Sequence, residues 1–282
     1  MKIIKNQIFP EERALYGEDG IHIIDCRFEG ELDGESALKE CKNIKAQGCE
    51  FLLRYPLWHD SGAELYGCKM AESCRAALWY STDISIRDCE LHGTKALREC
   101  RRVKIKNSDI VSAEFGWSSG DIDITDTRAS GEYFMLRADN IKIKGLDFHG
   151  KYSFQYVENA LIEDSMLDTK DALWHAKGVT LRNCTVKGEY LGWYCEDVTF
   201  ENCKIIGTQP FCYCKGLRLI DCEMHGCDLA FEKSEVDATV TTEVISIKNV
   251  RSGRVRVPSV REIIVDDDNA RGEVIVCERE TV

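Results

Sequence analysis

The sequence predicts an all-β fold, a single-stranded parallel β-helix of about twelve coils followed by a C-terminal β cap. Three observations carry this. An eight-residue template recurs along the chain: apolar, x, apolar, x, Asp/Asn/Gly, Cys/Ser, x, apolar. Its copies begin at 21, 44, 63, 84, 103, 122, 141, 160, 179, 198 and 217, so the steps are 23, 19 and 21, then 19 seven times over. All 5 tryptophans fall in one column of that frame.

Within each copy the first four residues alternate, as in "ISIR", "IKIK" and "VTLR". Period two with β-branched residues marks a short strand buried on one face. The Asp, Asn or Gly that follows marks a corner, because these residues tolerate unusual backbone angles. Glycine marks a second corner at Gly93, Gly131, Gly150, Gly188, Gly207 and Gly226; Asn140, Asn159, Asp197 and their equivalents mark a third. Three short strands and three corners per coil stack at strand spacing, giving a rod of about 55 Å. A weaker first copy begins at Lys2, with Ile4, Asn6 and Phe9 in matching places. The regular helix is expected over residues 1–239. Beyond it the period fails, and "VRVPSV", "EIIVDDD" and "EVIVCE" read as a cap of degenerate coils over 240–282.

The net charge of -12 excludes generic attraction to phosphate backbones and anionic membranes, so neither nucleic acid nor a membrane is an expected partner. The first residues hold no apolar run of signal-peptide type, and no segment reaches the length of a membrane span. The expected location is therefore the cytoplasm, where the 15 cysteines stay reduced. Seven form one column (Cys26, Cys49, Cys68, Cys89, Cys184, Cys203 and Cys222) and four another (Cys41, Cys100, Cys195 and Cys214). Small and polarizable, they suit a tight interior. There is no CxxC and no histidine at ligand spacing, so neither a metal nor a cofactor is expected.

Counted from the first apolar residue of each coil, with the longer coils allowed for, position 15 holds Trp58, Trp79, Trp117, Trp174 and Trp193. It also holds Lys39, Arg98, Leu136, Gln155, Cys212 and Phe231. Position 16 holds Glu40, His59, Tyr80, Glu99, Ser118, Arg137, Tyr156, His175, Tyr194, Tyr213 and Glu232. Strict alternation would bury position 15. The sequences "ALKEC" and "ALREC" argue otherwise, since they would bury Lys–Glu and Arg–Glu at several kcal/mol of desolvation per ion. A bend that exposes both positions satisfies every coil. Arg98 then lies between Trp79 and Trp117 in a cation–π arrangement. An aromatic stripe flanked by hydrogen-bonding groups suits an extended sugar chain, so the candidate substrate-binding set is Trp58, His59, Trp79, Tyr80, Arg98, Glu99, Trp117, Arg137, Trp174, His175, Trp193 and Tyr194. The alternative is a scaffold that uses the stripe as an oligomer or partner interface.

The segments "LRYPLWH", "CRAALWY", "GTKALREC", "GESALKEC", "DALWHAKGVTLRNC" and "GEYLGWYCE" resemble a family of uncharacterised bacterial proteins. That resemblance implies a right-handed parallel β-helix of the pectate-lyase-like type and a bacterial origin, with no established activity. In the wider superfamily are polysaccharide hydrolases with Asn-Thr-Asp, Asp-Asp, Gly-His-Gly and Arg-Ile-Lys motifs; the repeats here hold none of them. Calcium-dependent lyases combine clustered carboxylates with a basic side chain, for which Glu99, Glu114, Arg98, Arg137 and Lys95 could be assembled. Arg98, Glu99, Arg137 and His175 are thus the candidate catalytic residues, and surface ion pairing is the plainer reading of the charged ones.

Overall fold

A computed structural model of the chain describes residues 2–30 and 35–277. Gly34 of the "GESALKEC" motif and residues 278–282 of the C-terminal segment lie outside them. The fold is a parallel β-solenoid of about 14 turns. The chain divides into two compact units, the first ending at Lys142 and the second beginning at Ile143.

In the first unit, Lys2–Lys5 pairs in parallel with Ile21–Ile24, so the weak first copy is a true coil. Lys42–Gln47, Ser61–Tyr66, Thr82–Arg87 and Arg101–Lys106 then pair in succession, with Ile44 opposite Ala63 and Ile84 opposite Val103. A second short strand follows each corner, such as Glu50–Phe51, Lys69–Met70 and Glu90–His92. In the second unit, Glu158–Glu163, Lys177–Arg182, Thr199–Glu201 and Leu217–His225 repeat the pattern. Pairing continues past residue 239. Glu235–Val240 pairs with Ser252–Val257 at a step of 17, and Ser252–Val257 with Glu273–Val276 at a step of 19. The C-terminal segment therefore adds further stacked coils, and an altered step hid them.

The corners fall where Asp, Asn and Gly were expected. Asp88, Asn107, Asn183 and Asn202 have φ of 54°, 48°, 53° and 50°. These short polar side chains enter the left-handed region at least cost. They also pair between coils: Asn183 Nδ2 donates to Asp164 Oδ1 at 3.2 Å, and Asn202 Nδ2 to Asn183 Oδ1 at 2.9 Å. At the glycine corner, Gly188 has φ 150°, and a Cβ there would lie 1.6 Å from the Thr169 carbonyl oxygen. Only glycine permits that approach.

The third side departs from expectation. In the first unit it holds two-residue strands, Leu57–Trp58, Leu78–Trp79 and Leu97–Arg98. In its last coil, at Tyr133 (46°), Met135 (62°) and Arg137 (55°), and throughout the second unit it is a turn in which every other residue is left-handed, as at Asp171 (53°), Leu173 (61°) and His175 (56°). Side chains on such a turn do not alternate between faces. Ala172, Leu173 and Ala176 are buried, Trp174 and His175 half-buried. In "ALKEC" and "ALREC" the bend falls at a single left-handed residue, Glu40 (61°) and Glu99 (49°).

Small polar side chains complete the interior. A chain leaving a corner carries an N–H that points inward, away from water, and it needs an acceptor. The next coil supplies one. Cys68 N–H donates to Cys89 Sγ at 3.3 Å, Cys89 N–H to Ser108 Oγ at 3.2 Å, and Leu146 N–H to Ser165 Oγ at 3.0 Å. The second column works the same way: Cys100 N–H reaches Ser119 Oγ at 3.0 Å and Cys214 N–H reaches Ser234 Oγ at 2.8 Å. Cysteine is thus an interior acceptor as well as a filler. Fourteen cysteines are buried and Cys277 is exposed. Burial pushes the thiols of Cys41, Cys74, Cys100, Cys212 and Cys227 up to about 12. A thiol titration of native protein should therefore find one fast-reacting group, Cys277. In denaturant without reductant it should find nearly all 15.

Asp60 occupies the second column and is 2% exposed. Its Oδ1 accepts the Cys41 N–H at 2.8 Å, and its Oδ2 has no hydrogen-bond partner among the described residues. Burial pushes its carboxyl from 3.8 up to about 8. Between those values the folded state holds a proton that the unfolded chain has released. Stability therefore falls as pH rises through this window, by about 1.4 kcal/mol per pH unit. Asp60→Asn should match the wild type near the lower bound and exceed it in Tm near the upper one. Melting curves across that range check this.

Candidate functional site

The ring-bearing turn on the third side presents two rows, position 15 and position 16. In the first unit Trp58, Trp79, Arg98 and Trp117 follow one another in register. Trp58 and Trp79 meet edge to face at 5.2 Å. The Arg98 guanidinium lies 4.9 Å from the Trp79 ring and 5.2 Å from the Trp117 ring, the expected sandwich. In the second unit Trp174 and Trp193 stack at 5.4 Å with an interplanar angle of 6°.

All five tryptophans are half-buried, because each indole is tied to its own unit. Four donate Nε1–H to a backbone carbonyl of the next coil: Trp58 to Ala76 at 3.0 Å, Trp117 to Tyr133 at 2.9 Å, Trp174 to Tyr190 at 2.7 Å and Trp193 to Gln209 at 2.8 Å. Gln155 fills the same post, with Nε2 on the Asp171 carbonyl at 2.9 Å. Trp79 instead donates to Glu99 Oε1 at 3.3 Å. The column thus clads the coil edge, with part of each ring left to solvent.

Position 16 is the more open row. Tyr80, Tyr156 and Tyr194 are 45%, 44% and 42% exposed. His59 stacks on Tyr80 at 5.0 Å in the first unit. In the second unit four rings stack in succession: Tyr156 on His175 at 4.8 Å, His175 on Tyr194 at 5.0 Å, and Tyr194 on Tyr213 at 4.9 Å. Their interplanar angles are 11°, 7° and 10°. Ring faces inside such a stack cover one another, so phenol hydroxyls and imidazole edges are what solvent meets. Every member is left-handed, from His59 (59°) to Tyr213 (61°).

Of the candidate catalytic residues, Arg98, Glu99 and His175 are engaged with one another or with these rings. Glu99 Oε1 accepts Arg98 Nε at 3.1 Å as well as the Trp79 indole. Glu114 Oε2 lies 3.4 Å from Lys95 Nζ and 3.9 Å from Arg98 Nη1. His175 is held between two tyrosines, and Arg137 is exposed at the same corner. Arg98, Glu99, Glu114 and Lys95 therefore form one neutralised ion network. The described residues contain no group of three or more His, Cys, Asp or Glu that could hold a metal ion.

Two positions shift relative to the sequence frame. Lys233 N–H donates to the Asn249 carbonyl, and Tyr213 N–H to the Glu232 carbonyl. Phe231 stacks on Phe211 at 5.9 Å. That coil therefore carries one extra residue, which moves Phe231 to position 14, Glu232 to position 15 and Lys233 to position 16. Tyr156 and half-buried Tyr213 belong to the same stacked row as Tyr194; a ring at every position 16 from 156 to 213 is the signal that finds them.

Residues 2–277 match the family described as "Protein of unknown function (DUF3737)". The chain belongs to this family. No curated protein matches this family member in sequence. Among solved structures it is similar to a tailspike protein double mutant of E. coli bacteriophage HK620 in complex with pentasaccharide. The identity there is 7% over 96% of this chain and 71% of that one, with a TM-score of 0.50. It is also similar to PfbA, a surface adhesin of Streptococcus pneumoniae, at 9% identity over 85% and 72% of the two chains and a TM-score of 0.37. The mannuronan C-5 epimerase AlgE4 A-module of Azotobacter vinelandii matches at 8% over 99% and 88%, with a TM-score of 0.32. Identities this low bear on the fold alone.

The tie between indole and carbonyl is testable. Trp193→Phe keeps an aromatic ring and leaves the Gln209 carbonyl only the weak Cys212 thiol donor at 3.7 Å. It should lower the unfolding free energy by about 1–3 kcal/mol in urea titrations.

Proposed function

We propose that the protein binds an extended saccharide along the ring row at position 16. The observation that carries this reading is the unbroken stack Tyr156–His175–Tyr194–Tyr213, which offers one hydrogen-bonding ring edge per coil. A linear ligand lying across the coils meets a similar edge at each step. Phenol hydroxyls and imidazole nitrogens donate to and accept from sugar hydroxyls, while the half-exposed indoles of Trp174 and Trp193 offer apolar surface beside them. In the first unit His59, Tyr80 and the Arg98–Glu99 pair supply the same chemistry.

The backbone adds support. A ring at a left-handed position costs about 1–2 kcal/mol that Asn or Gly largely avoids. Asp and Asn do occupy the corner after the first strand. Position 16 carries tyrosine and histidine despite that cost, as buried Phe154, Leu173 and Phe211 do two places earlier, and stacking alone would not require a hydroxyl at the solvent edge. The tailspike neighbour, itself in complex with a pentasaccharide, is an example of this kind of solenoid carrying a sugar. The reading is one of binding rather than turnover, since Arg98 and Glu99 are committed to each other and to indoles.

Tyr156→Phe/Tyr194→Phe removes two hydroxyls and leaves the stack, the fold and the indole ties in place. On a glycan array, wild type should bind a linear saccharide, and the double variant should bind it about tenfold or more weakly. Wild type that binds no glycan, or a double variant that binds as well as wild type, would reject this reading. A wild-type dimer that the double variant dissociates would assign the row to self-association.

A further inference from the structure

We propose that a cavity in the C-terminal coils is a binding site for an oxyanion, a carboxylate or phosphate group. The cavity, of about 580 Å³, is lined by Lys233, Arg251, Ser252, Asp267, Asn269 and Arg271 among others. Three cations against one carboxylate is unusual concentration for a chain of net charge -12.

The partnerships inside it decide which charges are spent. Asp267 Oδ1 accepts both the backbone N–H of Asn269 at 2.9 Å and its Nδ2 at 3.1 Å. Asp267 Oδ2 lies 3.4 Å from Lys233 Nζ. This carboxylate is therefore occupied, and Lys233 is neutralised by it. Among the described residues Arg251 has only Glu235, at 4.0 Å. Arg271 has no carboxylate within salt-bridge distance among the described residues. The two arginines are neighbours on successive coils, because Arg271 N–H donates to the Arg251 carbonyl at 3.2 Å.

Stacked like charges repel, and elsewhere this solenoid interleaves them with opposite ones. Arg182 sits between Glu163 at 2.8 Å and Glu201 at 2.6 Å. Glu196 sits between Lys177 at 3.3 Å and Lys215 at 3.6 Å. Arg87 and Lys106 also follow one another, on an open strand face where water screens them. Arg251, whose side chain is 60% exposed, and Arg271 line the wall of one cavity together with Ser252. Guanidinium forks match the paired oxygens of a carboxylate or phosphate in bidentate fashion. An anion seated there cancels the repulsion. The site is separate from the ring row and does not rest on the saccharide reading.

Isothermal titration of the whole chain at low salt, with inorganic phosphate in one arm and an oligogalacturonate in the other, tests the site. At least one arm should show one-to-one binding. Arg251→Ala and Arg271→Ala should each weaken it about tenfold, and raising the salt should weaken it further. Binding in the phosphate arm alone points to a phosphate ester, binding in the uronate arm alone to an acidic saccharide, and binding in both to the shared oxyanion chemistry. Melting curves supply a second measurement: phosphate or the uronate should raise the Tm of wild type and not of Arg271→Ala, which in anion-free buffer should be no less stable than wild type. No binding in either arm, binding that both variants retain, or an Arg271→Ala protein destabilised without any anion would overturn the proposal.

Discussion

The inward-pointing N–H at each coil corner is the constraint on which the rest of this structure depends. A parallel ladder satisfies backbone groups along a strand but not where the chain turns away from it. A buried donor without an acceptor costs about 1–3 kcal/mol, and a solenoid repeats the problem at every coil. In most coils the solution is a small side chain with a lone pair at position 6 or 17 of the next coil, supplied by Cys, Ser, Thr or, once, Asp60; Leu146 at position 6 and Ala138, Val157 and Ala176 at position 17 are the exceptions. This explains why cysteine and serine exchange freely within those columns. It also explains how a carboxylic acid came to be tolerated in the interior: Asp60 Oδ1 does the work that a hydroxyl does elsewhere.

The same turn geometry governs the outer surface. A left-handed residue at position 16 turns the third side in each coil, which places position 15 against the coil edge and position 16 further out. The indoles are drawn down onto carbonyls of the next coil, and the phenols and imidazoles are left standing in a stack. What meets solvent is therefore a line of ring edges rather than a platform of ring faces. That difference alters the chemistry open to a ligand, from stacking on flat surfaces to hydrogen bonding at regular intervals.

Much of this was legible in the sequence because a repeating fold writes each structural demand many times. Seven equal steps defined the coil, and the shared column of Trp58, Trp79, Trp117, Trp174 and Trp193 defined a side of it. The Arg98 sandwich followed from register alone. Where a demand is written once, the reading slipped. A single inserted residue before Phe231 moved that ring off the tryptophan column, and the step of 17 between Glu235 and Ser252 concealed the later coils together with the stacked Arg251 and Arg271. The third side reads as a strand because its apolar spacing allows one, and in three coils a short strand is there; the alternation of backbone hand found from Tyr133 onward leaves little mark on residue type. The acceptor role of cysteine was missed for another reason, since its sequence pattern is also that of an apolar filler.

The corner bonds all run one way. In every pair described, the donor N–H belongs to the earlier coil and the accepting oxygen or sulfur to the later one. Each coil thus relies on its successor more than on its predecessor. Removing a coil from the leading side of a stack frees a few hydroxyls or thiols, which lose little. Removing one from the trailing side orphans buried amides. A stack built this way has unequal tolerance to shortening at its two sides, although its strand ladder is the same in both directions.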